Sequence, residues 1–308
     1  MTQATTLKAG SATGARTSDK AIALVHRGGE RHWVGDGFPV QTVFHYGELG
    51  SEMTPFLLLD HAGPADFPAS DKARGVDWHP HRGFETVTIV YDGEVDHGDT
   101  AGNAGSIRPG DVQWMTAGSG LLHKEFHGGE FARKGGHFEV AQLWVNLPAK
   151  LKMTAPRYQT LLNADVPSVE LPDGAGRVRV IAGSFEAAQG PAKTFTPINL
   201  YDVRLNASHR VAFDLGEGHG GGVFVLKGEV TVNGRNAVGE DLVVFEREGT
   251  RVVVEAQQDA LILVMSGAPI DEPIAGYGPF VMNTQQEIQQ AITDLRAGRM
   301  GRIPEQTH

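Results

Sequence analysis

Apolar residues in this chain come in short runs cut by glycine and proline. From Ala21 to Asp60 they read AIALVHRGG, HWVGDGFPVQTVFHYG and PFLLLD. Runs of this length, bounded by turn residues, predict β-strands rather than helices. The stretch from His61 to Trp78 is turn-rich and predicts a loop. β-Branched and aromatic residues dominate the next block, FETVTIVY. DGEVDHGDTAGN then predicts a turn-bearing connection, and RPGDVQWMTAG, GLLHKEF and FEVAQLWVNLP predict further strands. A second series of the same kind, RVRVIAG, LYDVRL, GGVFVLKGEVTVNG, EDLVVF, TRVVVEA and ALILVMSG, spans about residues 176–267.

The two series echo one another. YDGEV at 91–95 matches LKGEV at 226–230 in residue type, and RPGDVQWMTAG has a loose counterpart in VGEDLVVFEREG. Strands at this spacing, without intervening helices, suit a duplicated sandwich or barrel. One helix is predicted near the end. Thr284 and Glu287 form a Thr-x-x-Glu capping box. Ile288, Ala291, Ile292 and Leu295 recur at helical spacing, and Gly298 is a fitting stop. That stripe needs a barrel surface to cover.

Composition narrows the chemistry. The 308 residues suit two domains. The 40 glycines agree with many tight turns, and the net charge of −10 with no dense Lys/Arg run gives no sign of direct nucleic-acid binding. There are no cysteines, so disulfides and thiolate sites are excluded and any metal must use His, carboxylates or water. No apolar run approaches a membrane span. Residues 1–20 lack the apolar core of a secretory signal and are expected to be a disordered tail, with the cytoplasm as the default location.

The candidate chemistry lies in two spaced pairs. His79 and His81 are one residue apart, so on a strand both imidazoles point the same way. His123 and Glu125 repeat the spacing. Two such strands side by side aim His79, His81, His123 and Glu125 at one point. Three imidazoles and a carboxylate suit Fe(II), Mn(II), Ni(II), Cu(II) or Zn(II) and not Ca(II), with positions left open for water, substrate or dioxygen. Rivals stand close by. Glu85 shares the parity of His79 and His81 if the strand is regular. His127 and Glu130 run into a Gly-Gly loop, and His97 and Asp99 fall in a turn-like segment.

HPHRGFETVT at 79–88, PGDVQWMTAG at 109–118 and LLHKEF at 121–126 make the chain resemble the pirin family of the cupin superfamily. PFLLLD, QLWVNLP and YGPFVMNT strengthen the likeness from about residue 21 onward. The resemblance implies an all-β bicupin, two stacked antiparallel β-barrels of jelly-roll type with a C-terminal helix. The expected division is a tail at 1–20, a metal-binding cupin barrel at 21–165, a second barrel at 166–283, and a helix and tail at 284–308. The family's metal ligands fall on His79, His81, His123 and Glu125. Aligning LKGEV with YDGEV sets Asp214, Gly216 and Gly220 opposite His79, His81 and Glu85, so no metal is expected in the second barrel; the nearby His219 is a lone histidine.

The likeness extends to quercetin 2,3-dioxygenases. It implies a metal-dependent dioxygenase, with Fe(II) first and Mn, Ni, Cu, Co or Zn as alternatives. Its partners would be a flavonol-like small molecule and O2, and it would be a monomer. The metal would polarise the flavonol 3-hydroxyl, and Glu125 would take its proton as catalytic base. Arg82, Phe84, Trp114 and Trp144 are candidate wall residues. The competing expectation is a non-enzymatic metal-binding regulator acting on a protein partner.

Overall fold

The computed structural model describes residues 18–304. In chain order the first part holds β1 (Ile22–Arg27), β2 (His32–Val34), β3 (Phe38–His45), α1 (Tyr46–Met53), β4 (Phe56–Phe67), β5 (Gly75–His81), β6 (Phe84–Asp92), β7 (Val95–Asp99), β8 (Ala104–Ile107), β9 (Val112–Thr116), β10 (Leu121–His127), α2 (Gly129–Lys134), β11 (Gly136–Asn146) and β12 (Arg157–Leu161). The second part holds β13 (Ser168–Leu171), β14 (Gly176–Ala182), β15 (Ser184–Phe185), β16 (Ala188–Gln189), β17 (Ile198–Leu205), β18 (Arg210–Asp214), β19 (Gly220–Lys227), β20 (Glu229–Val232), β21 (Arg235–Val238), β22 (Asp241–Phe245), β23 (Arg251–Ala256) and β24 (Ala260–Gly267). A hairpin, β25 (Ala275–Tyr277) and β26 (Phe280–Met282), and the helix α3 (Gln285–Arg296) close the chain.

These strands form four β-layers. In the first half, a seven-stranded sheet (β12-β9-β6-β11-β4-β3-β2) faces a four-stranded one (β5-β10-β7-β8). The second half repeats this with β1-β22-β19-β24-β17-β14-β13 over β18-β23-β20-β21. Each half is therefore a two-sheet jelly-roll sandwich, not the closed barrel expected, because no ladder joins the edges of its two sheets. The two seven-stranded sheets pack on each other. Phe44, Phe56, Trp114 and Leu143 meet Ile181, Phe224 and Met265 in one buried core.

Layering explains the sequence patterns. β6 is covered on both faces, so FETVTIVY is buried throughout and shows no alternation. β10 lies in an outer sheet, and LLHKEFH alternates buried and half-exposed residues. Gly83, at φ 92°, makes the turn between β5 and β6, a conformation that favours glycine.

Several boundaries depart from expectation. β4 runs on to Phe67 and β5 begins at Gly75, so much of the expected loop at 61–78 is strand. Residues 1–17 of the expected tail lie outside the described residues, but the rest of it is ordered. Asp19 bridges to Arg251, and the Lys20 ammonium is buried, donating to the carbonyls of His219, Glu246 and Arg247. β1, assigned to the first barrel by sequence, pairs with β22 of the second half.

The C-terminal hairpin and α3 cross the other way. Arg82 bridges Phe280, and Val281 packs with Leu57 and Phe84. α3 carries the expected capping box, and Ile288 and Ala291 are buried against Phe280, Met282 and Met300, with Leu122 of β10 alongside. No helix among the described residues is long and apolar enough to cross a membrane.

Candidate metal centre

β5 and β10 run antiparallel with His79 opposite His123 and His81 opposite Leu121. One strand then bulges: Glu125 pairs with Val76 rather than Asp77. Bulges re-aim side chains and free backbone groups. Here the Asp77 carbonyl accepts the Nδ1–H of His79 at 2.9 Å, which fixes the tautomer and leaves Nε2 its lone pair.

Donor atoms of His79, His81 and His123 lie within 4.8 Å of one another. His81 and His123 are buried. Nδ1 of His81 and both ring nitrogens of His123 have no hydrogen-bond partner in the protein. Such groups are destabilising unless something meets them. Burial first, then the neighbouring imidazoles, push both pKa values well below the ordinary range, with hydrogen bonding to Pro279 opposing this at His81. Neutral imidazole is the form that binds metal. Packing holds the rings: His81 lies 5.2 Å from Phe84 and 5.4 Å from Trp144, centroid to centroid. Three converging imidazoles, with unpartnered nitrogens on His81 and His123, fit a divalent transition metal.

Glu125 shares the buried interior but is not a member of the close cluster. Gln142 Nε2 donates to its two oxygens at 3.3 and 3.1 Å, and Thr88 Oγ1 to one at 3.3 Å. Burial raises its pKa, opposed by His79 and by these hydrogen bonds.

The site opens into a cavity of about 400 Å³ between the two sheets, within the usual range for small-molecule sites. Phe38, Val40, Leu58, Val140 and Trp144 give it apolar walls, and His79, His81 and Glu125 line it together with Asp60, Thr42 and Gln142. A more open hollow of about 570 Å³ lies on the second half, around Ser208 and Arg210. The cluster of three histidines that could hold a metal, found among the described residues, is not there but in the first half.

The other sequence candidates fall elsewhere. The turn at Gly83 resets strand parity, so Glu85 faces away from the histidines. It accepts from Thr116 Oγ1 at 2.7 Å, and burial raises its pKa to about 7. His97 and Asp99 stand on β7, not in a turn, opposite Glu125 and His123. His97 Nε2 shares a 2.5 Å hydrogen bond with Tyr158 Oη, while Asp99 accepts three bonds from Ala101 and Asn103. His127 sits among Phe38, Phe67, Phe131 and Phe138 and donates to the Gly37 carbonyl. Glu130 is exposed on α2. Trp144 lines the cavity and Phe84 stacks behind it, but Trp114 belongs to the core between the halves, and Arg82 turns to Ser119 and Asp294.

Sequence reading passed over Asp60, Thr42 and Gln142. Their signal is a single polar residue at an inward position of an otherwise apolar strand. In the second half, the ladder puts Phe213 opposite Val252, as His79 stands opposite His123. With Val211 and Val254 they fill the interior, while Asp214 is exposed and His219 meets Ser266 Oγ at 3.1 Å.

The family model described as Pirin matches residues 37–145, and the Pirin C-terminal cupin domain matches residues 200–301. A Pseudomonas aeruginosa protein provisionally named quercetin 2,3-dioxygenase is 54% identical, over 91% of this chain and 98% of its own. A pirin-like protein of Caulobacter vibrioides is 40% identical, over 86% of this chain and 94% of its own. The crystal structure of a quercetin 2,3-dioxygenase from Acinetobacter baumannii superposes with a TM-score of 0.91 at 47% identity, covering 93% of this chain and 100% of that one.

Proposed function

The chain belongs to the pirin family, and from that premise we propose that it is a metal-dependent dioxygenase cleaving quercetin or a similar flavonol with O2. One observation carries the reading. Three converging imidazoles, with ring nitrogens of His81 and His123 left without a protein partner, and a buried carboxylate share one site beside an apolar cavity. The names of the Pseudomonas and Acinetobacter relatives agree with it.

His79, His81 and His123 would hold the metal, with Glu125 as fourth ligand. Fe(II) is our first assignment; Mn, Ni, Co, Cu and Zn suit the same donors. When bound, the metal supplies Lewis acidity at a substrate hydroxyl. Glu125 takes that hydroxyl's proton. Gln142 and Thr88 hold its oxygens in place for that transfer. Trp144, Leu58 and Val140 offer flat apolar walls to an aromatic ring and exclude water from it.

The test is purified protein reloaded with Fe(II), Mn(II), Ni(II) or Cu(II) and mixed with quercetin under air. Oxygen uptake and loss of the flavonol absorbance are expected, and both vanish in His81→Ala. No turnover with any metal contradicts the dioxygenase. It would favour the regulator, a reading that suits the relatives named only as pirin-like proteins.

A further inference from the structure

The cavity wall of the seven-stranded sheet is banded. Ladder pairing sets Thr42, Asp60, Gln142, Thr88 and Gln113 side by side in one row across β3, β4, β11, β6 and β9. The row on one side is His32, Val40, Ala62, Val140 and Val90, with His32 also lining the cavity. On the other side stand Leu58, Trp144, Thr86 and Met115. A polar line therefore crosses an otherwise mostly apolar surface, at the level where Glu125 meets it from the opposite sheet.

Most of this line is already engaged. Gln142 and Thr88 hold Glu125, and Thr42 Oγ1 donates to Asp60 Oδ1 at 2.7 Å. Asp60 is different. It is the one ionisable group in the row, it lines the cavity, and among the described residues no ion pair includes it. Thr42 supplies its one side-chain hydrogen bond, on Oδ1, and the residue lines the cavity with Oδ2 not engaged by any protein hydrogen bond among the described residues. A carboxylate on a largely apolar wall is expensive unless a donor meets it. Its backbone place on β4, between β3 and β11, puts it across the cavity from the histidines on β5.

We propose that Asp60, oriented by Thr42, determines specificity by accepting a hydrogen bond from a second hydroxyl of the substrate, remote from the hydroxyl at the metal. The proposal rests on the flavonol reading and deepens it: the substrate class becomes a flat aromatic with hydroxyls at both ends. Quercetin meets this, whereas 3-hydroxyflavone carries only the metal-facing hydroxyl. Burial raises the Asp60 pKa to about 6, which leaves the carboxylate ionised as an acceptor in neutral solution.

Anaerobic titration of the full chain with each compound separates binding from turnover. The wild type is expected to prefer quercetin. In Asp60→Leu, quercetin binding weakens by about tenfold to a hundredfold, as for a lost bond to a charged group, while 3-hydroxyflavone stays within about twofold. Thr42→Val, which leaves the carboxylate in place, shifts the preference the same way by a smaller factor, and metal content is unchanged in both variants. If both compounds bind and the preference survives Asp60→Leu and Thr42→Val alike, the assignment of Asp60 is overturned while the flavonol reading stands. If neither compound binds the wild type, both fall.

Discussion

At the residue scale, the histidine pairs were legible because a strand's two-residue period turns spacing into direction. The same rule misplaced Glu85, because the Gly83 turn starts a new strand with its own parity. Glu85 now makes a prediction. Its pKa is about 7 in the fold against an ordinary 4.5, so the folded protein keeps a proton that the unfolded chain releases. Stability therefore falls as pH rises from about 4.5 to about 7 and is level above that. Glu85→Gln removes this dependence. Between pH 5 and pH 8 the wild type should lose about 2–3 kcal/mol relative to the variant in urea unfolding. Parallel curves would sink the buried, protonated Glu85. Glu125→Gln keeps the shape of the site but not the base. Its kcat on quercetin should drop by about 10²–10⁴, and a kcat within twofold of wild type would remove Glu125 from the chemistry.

At the element scale, α3 was readable from its capping box and apolar stripe, since both are local signals. Its landing place was not, because that depends on Arg82 and Leu122 more than 160 positions earlier. Asp294 accepts from Arg82 at 2.8 Å in a buried pair, with Gln290 and Arg299 on its other oxygen. The Arg82 hydrogen bond leads in holding its pKa down to about 2. The pair thus contributes stability above the ordinary carboxylate pKa and loses it as pH falls toward 2. Asp294→Ala should cost about 3–5 kcal/mol at pH 7, because it strands a buried guanidinium, and the cost should shrink in acid. A loss under 1 kcal/mol at pH 7 would show that the Arg82–Asp294 pair holds little. The end of β4 and the start of β5 were missed for the opposite reason: His, Gly and Pro read as turns, yet here they lie in ladders whose partners are distant in sequence.

At the scale of the whole molecule, duplication was visible in the YDGEV and LKGEV echo, but the exchange of β1, the hairpin and α3 between halves was not. Exchange and the shared core predict one cooperative unit. Calorimetry on the metal-free chain should show a single unfolding transition, and two separable transitions would contradict the shared core. Asymmetry between the halves is the functional point. One interior keeps imidazoles where the other has Phe213, Val252 and Val254. The claim that one metal sits on His79, His81 and His123 is tested most directly by metal analysis of the wild type beside His123→Ala. One equivalent of transition metal per chain in the wild type, and under about a tenth of that in a folded variant, is the predicted result; unchanged metal content in His123→Ala would contradict it.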